Sequence, residues 1–191
     1  MQEAGSARFL MDCTIASGAY LALYGVWYAL NGAISTDELN NESSQILFPY
    51  FPHAAKIIAA WLLGWRAIFA LLPATSLHGA YLWELYGLTY GEAFAFSVLA
   101  ASAAVLAFET FRATRMDLYA YSGMEVHWRR LLLVGLVASL YNNLGIALIT
   151  DSSLDLQNEV ALVFQLSLAD MSGLVLVLLC LWLVLKRYKP G

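Results

Sequence analysis

Residues 46–66 read Ile-Leu-Phe-Pro-Tyr-Phe-Pro-His-Ala-Ala-Lys-Ile-Ile-Ala-Ala-Trp-Leu-Leu-Gly-Trp-Arg. Two prolines open the run, and Gly-Trp-Arg closes it. Proline is tolerated in the first turn of a helix and is costly inside one. A helix is therefore expected over 52–65, the second of the chain. At the rise of 1.5 Å per residue it measures roughly 20 Å, against a hydrocarbon core of about 30 Å. Either residues 46–51 add a turn, or the helix starts below the outer surface. In the second case its amino-terminal N–H groups must face protein or water rather than lipid, and such an end attracts anions.

Working outward, five further apolar runs cover 13–34, 66–86, 91–112, 129–150 and 159–186. The sequence is thus expected to be all-α, a polytopic bundle of six transmembrane helices whose second member is of half length. The charges support the count. With the amino terminus inside, six crossings place Arg8, Arg66, Arg112, Arg115, Arg129, Arg130, Lys186, Arg187 and Lys189 on the cytoplasmic side. The outer connections then hold Asp37, Glu38, Glu42, Glu92, Asp151, Asp155 and Glu159, with no Lys or Arg. Short cytoplasmic loops are enriched in Lys and Arg, and one span more or fewer would scramble the pattern. Both termini are expected in the cytoplasm, in a bacterial inner membrane. Lys56 is the exception to the rule.

Of the 191 residues, 61% are hydrophobic and 13% charged, which would leave too much apolar surface on a soluble globule. Six helices leave no room within this sequence for a soluble domain such as a kinase or an ATP-binding module. The first apolar run is too long for a signal peptide and lacks a small-x-small cleavage site, so it reads as a retained span. The net charge of −4 and the topological use of the basic residues argue against nucleic acid as a partner. Cys13 and Cys180 lie near the cytoplasmic ends of their helices, where a disulfide is not expected and two thiols make a poor metal site.

The chemistry is expected in the outer half of the bundle. Charge inside a bilayer usually faces the protein interior and finds a partner. His53 and Lys56 share one face of the second helix, His78 lies on the third, Asn142 and Asn143 on the fifth, and Asp170 on the sixth. These six residues form the candidate ligand-binding polar cluster. In its plainest form Lys56 and Asp170 are a buried ion pair, and the asparagines bond helix to helix. Lys56→Met alone should then destabilise the bundle, and Asp170→Leu on top should restore much of the loss. The alternative is an outward-facing cavity for a small polar or anionic ligand, held by Lys56 and the amino terminus of the second helix. No catalytic constellation is evident, since Ser and Cys have no His base at hand. No metal site is expected either, because His53, His78 and His127 cannot converge. In the inner half Glu109 has Arg112 one turn away as its natural partner. Gly18 and Gly25, seven apart in the first helix, offer a face for close approach, Pro73 a kink, and the small-residue run of the fourth helix a central place in the bundle. The aromatic residues suit membrane interfaces and helix packing. They leave the cofactor unknown, with lipid, carotenoid or quinone contact all open.

Phe51-Pro52-His53-Ala54-Ala55, followed by Gly64-Trp65-Arg66 and later by Asp170-Met171-Ser172-Gly173, resembles the MASE1-type bacterial membrane-associated sensor domain. That family has an aromatic-Pro-x-x-Gly start to a short second helix, a later Gly before a basic residue, and an Asp closely followed by Gly in its last conserved helix. Ala55 replaces the first Gly, and residues 174–185 lack the proline that usually follows. The resemblance implies a non-enzymatic membrane sensor or ligand-binding module that acts through a separate partner protein. Two other functions fit the residues: an accessory subunit of a larger membrane complex, and the substrate-binding component of a small-solute uptake system.

Overall fold

The structure, a computed structural model, describes residues 2–34, 49–122, 128–149 and 156–188. Among them the chain is all-helical: α1 (Gln2–Ile34), α2 (Pro52–Leu63), α3 (Arg66–Tyr86), α4 (Tyr90–Ala113), α5 (Trp128–Ile149) and α6 (Leu156–Tyr188), with a 3₁₀ turn at Ala120–Ser122. Four stretches are long and apolar enough to cross a membrane: Ala7–Gly32, Tyr90–Ala113, Trp128–Ile149 and Val160–Arg187. They mark a membrane protein. The acidic loop residues Asp37, Glu38, Glu42, Asp151 and Asp155, together with Glu125, His127 and Lys189, lie outside the described residues.

Local chemistry sets the element ends. Pro52 occupies the first turn of α2, and Gly64 ends the helix at φ 59° and ψ −138°, a conformation open to glycine alone. The Gly64 N–H still reaches the Ala60 carbonyl at 2.9 Å. The Tyr121 ring lies over Gly64, where an added Cβ would come within 3.3 Å of its hydroxyl. Gly87 ends α3 in the left-handed region, at φ 67°. Thr89 and Glu92 then start α4 with a capping box: the Thr89 N–H donates to the Glu92 carboxylate at 2.6 Å, and the Thr89 hydroxyl oxygen accepts from the Glu92 N–H at 3.3 Å. α3 runs on through Pro73 as one helix.

The twelve-residue α2 packs against all five other helices and is the middle of the bundle. Its Ala54, Ala55, Ile57, Ala59 and Ala60 are buried. α4 buries a face of small residues, Ala100, Ala101, Ala103, Ala104 and Ala107, but the central position expected for it belongs to α2. The physical reason is length. A helix too short to span lipid leaves no polar backbone exposed to it when five longer helices surround it.

α1 and α3 run in the same direction, since Ser17 donates to the Ala70 carbonyl at 2.6 Å and Tyr24 meets His78 further along. The turn after α2 and the segment after α4 share one end of the bundle. Arg8, Arg66, Arg112, Arg115, Arg129, Arg130, Lys186 and Arg187 gather at that end. There Arg112 pairs with Glu109 at 3.5 Å, the partner its spacing suggests, and its Nε lies 3.8 Å from Asp117. Tyr119 donates to Glu109 at 2.9 Å. Burial, and then that hydrogen bond, push its phenol well above the usual range.

Candidate functional site

The lead-in to α2 carries the site. Tyr50 donates its N–H to the Ala169 carbonyl of α6 at 2.8 Å, which fixes residues 50–51 across that helix. The crossing is possible only because residue 173 is glycine: a Cβ there would overlap the Tyr50 carbonyl and lie 2.9 Å from the Phe51 nitrogen. Asp170 sits one turn before Gly173, so the close crossing delivers α2 directly onto the carboxylate.

His53 and Asp170 are 1% and 4% exposed. His53 donates from Nε2 to the Gly135 carbonyl of α5 at 3.1 Å, because a carbonyl can only accept. Its Nδ1 faces Asp170 Oδ2 at 3.8 Å, too far for a hydrogen bond, and has no partner. The carboxylate is held from the other side. Ser139 donates to Oδ2 at 2.6 Å, and Asn143 approaches it at 3.3 Å while also reaching Ser139 at 3.0 Å and Ser167 at 3.2 Å. Asn142 donates from Nδ2 to the Asn143 side-chain Oδ1 at 3.2 Å, and its own Oδ1 has no partner among the described residues.

His78 belongs to a second group. Its Nδ1 lies 2.8 Å from the Tyr20 hydroxyl, which is 3.3 Å from the Tyr50 hydroxyl. Tyr24 and Phe96 close around the His78 ring, with centroids at 4.6 Å and 5.7 Å, and Trp27 meets Tyr50 edge-on at 5.4 Å. Among the described residues the buried Trp27 Nε1 has no acceptor.

Lys56 is within electrostatic reach of Asp170 and His53 in the first group and of His78 in the second. It is 3% exposed. Among the described residues its ammonium makes no hydrogen bond and has no carboxylate within 4.0 Å. The direct Lys56–Asp170 ion pair is therefore not formed. The carboxylate is already engaged by Ser139 and Asn143, and His53 takes the place beside it. A second expectation also changes. The amino terminus of α2 is not open to an anion, because its His53 and Ala54 N–H groups turn back to the Tyr50 and Phe51 carbonyls at 3.4 Å and 3.0 Å.

Of the six residues anticipated, His53, Asn142, Asn143 and Asp170 come together, His78 stands with the aromatic group, and Lys56 acts electrostatically on both. Sequence reasoning passed over Ser139, Ser167, Tyr20, Trp27 and Tyr50. Helical spacing held a signal for three of them: Ser139 is four before Asn143, Ser167 three before Asp170, and Trp27 seven after Tyr20. Among the described residues no group of three or more His, Cys, Asp or Glu side chains is placed to hold a metal. No protein family, curated protein or solved structure matches the chain.

Proposed function

We propose that the chain is a six-span protein of a bacterial inner membrane, with both termini cytoplasmic, that binds a small polar solute beside α2. It is a non-enzymatic sensor module and passes the occupied state to a separate membrane protein. The observation that carries this reading is the buried Lys56 ammonium, which has no carboxylate within 4.0 Å among the described residues. A structural lysine at this depth would be paired, since an unpaired buried charge is costly. In the two polar groups three buried atoms, Trp27 Nε1, His53 Nδ1 and Asn142 Oδ1, have no partner among the described residues. Lys56 and the Trp27 N–H ask for an acceptor, while His53 Nδ1 and the Asn142 oxygen ask for a donor. A small hydroxy- or amino-carboxylate supplies both. The likeness of residues 51–66 and 170–173 to the MASE1-type sensor domain supports the sensing role.

Melting the full chain in mild detergent against a panel of small hydroxy- and amino-carboxylates tests the site. At least one compound should raise the wild-type melting temperature and leave Lys56→Met unmoved. No response across the panel, or an equal response in the variant, overturns the assignment.

Topology has its own measurement. A cysteine placed at Asn41 or Asp155 should react with an impermeant thiol reagent applied from the periplasm, and one at Ser122 should not. Labelling of Ser122→Cys from that side would sink the six-span arrangement.

A second reading, an accessory subunit of a larger complex, is favoured by α1. Gly18, Gly25 and Gly32 have no neighbour within 4 Å of where a Cβ would stand. The face that their spacing offers is vacant among the described residues and suits a partner's helix.

A further inference from the structure

At the basic end of the bundle, α5 and α6 leave a cleft between them lined by Trp128, Leu132, Val175, Leu178, Leu179 and Trp182, with a volume of about 360 Å³. Its walls are apolar over almost their whole area. A polar solute would find few partners there. The mouth is different. The Arg129 guanidinium carbon lies 5.6 Å from the Trp128 ring centroid and the Lys186 Nζ 5.1 Å from that of Trp182, so each lining tryptophan carries a cation. Arg130 and Arg187 are next in sequence. Among the described residues none of these four cations pairs with a carboxylate within 4.0 Å. The cleft therefore combines an apolar interior with a positive rim that no described carboxylate pairs with.

We propose that this cleft binds one anionic phospholipid. Its acyl chain lies along α6 and its phosphate sits between Arg129 and Lys186. The lining from Val175 to Trp182 runs along the helix axis for roughly 10 Å at the helical rise, the direction an acyl chain takes in a bilayer. α5 and α6 are both among the helices able to cross a membrane, and their tryptophans lie toward the basic ends of those helices, as amphipathic rings that prefer the headgroup level would. Basic clefts between helix ends suit phosphate headgroups, each cation adding attraction to an anionic leaflet. A zwitterionic lipid carries the same phosphate but brings its own ammonium to a rim of cations, so the headgroup's net charge decides the occupant. The site is separate from the polar cluster and does not depend on what binds there.

Tryptophan quenching by brominated lipids tests the assignment on the full chain in phosphatidylcholine nanodiscs. A minor share of phosphatidylglycerol brominated on its acyl chains should quench the wild type about 2-fold or more beyond the same share of brominated phosphatidylcholine. Arg129→Gln with Lys186→Gln should bring the two lipids level. Val175→Phe, which fills the cleft and keeps the rim, should do the same. Equal quenching by both lipids in the wild type overturns the proposal, as does an excess that survives the paired Gln substitutions. An excess lost with the cations but kept in Val175→Phe would mean attraction to the surface without occupancy of the cleft, and also overturns it.

Discussion

Asp170→Leu should lower the stability of the bundle by about 2–4 kcal/mol, while Lys56→Met should change it by less than about 1 kcal/mol. The asymmetry follows from the contacts. Leucine at 170 removes the acceptor of the Ser139 hydroxyl at 2.6 Å, leaves Asn143 with one partner fewer, and strands the Lys56 charge. Methionine at 56 gives up the attraction of Asp170 across more than 4 Å but also relieves a desolvated ammonium that nothing accepts from. The two effects offset. The double variant should recover only the part of the Asp170→Leu loss that came from the stranded lysine, because the Ser139 hydroxyl stays without its acceptor and Asn143 with one partner fewer. Reversible unfolding in mixed micelles measures all three. Equal losses in the two single variants would mean a direct ion pair, and the geometry described for Lys56 would be wrong.

Gly173→Ala should cost about 2–3 kcal/mol, although alanine ordinarily favours a helix over glycine by about 0.5–1 kcal/mol. The added methyl meets backbone, the Tyr50 carbonyl and the Phe51 nitrogen, and not the tip of a flexible side chain. Relief requires the lead-in to move off α6, which breaks the Tyr50 N–H bond to Ala169 and withdraws His53 from Asp170. Gly18→Ala is the matched control, since nothing lies within 4 Å of its new methyl, and it should be neutral or slightly stabilising. Parallel detergent melts compare the two. If both variants melt with the wild type, the crossing at Gly173 is not tight.

Much of the architecture could be read from punctuation and charge. Pro52 and Gly64 bracket α2 because one fixes a helical first turn and the other adopts a positive φ, and both are chemical properties of single residues. The gathering of the basic residues at one end is equally a matter of residue type and order. Which helix occupies the middle could not be read so simply. α4, rich in alanine, has the composition expected of a central helix, yet α2 takes the place because enclosure by five neighbours depends on how all six lengths combine. The polar residues were found by the cost of charge in an apolar segment. That reasoning recovers His53, Lys56, Asn142, Asn143 and Asp170, all of them buried. It passes over Ser139 and Ser167, because a hydroxyl in a helix can bond to its own backbone and so gives no alarm. Pairing Lys56 with Asp170 was the natural inference from opposite charges, but charge alone does not count the hydroxyl and amide donors already around a carboxylate.

The crossing of residues 50–51 over α6 also bears on how the protein is made. α2 leaves the ribosome on the order of a hundred residues before Asp170 and Gly173 exist, which at typical rates of synthesis is roughly ten seconds. Through that interval a twelve-residue segment bearing a histidine and a lysine has neither the length nor the partners to rest in lipid. The contacts that hold its lead-in, Ala169 and Gly173, come only with the last helix, so α2 reaches its final place in the bundle only when α6 is made. A chain interrupted before α6 would expose α2 to whatever proteolysis patrols unassembled membrane segments.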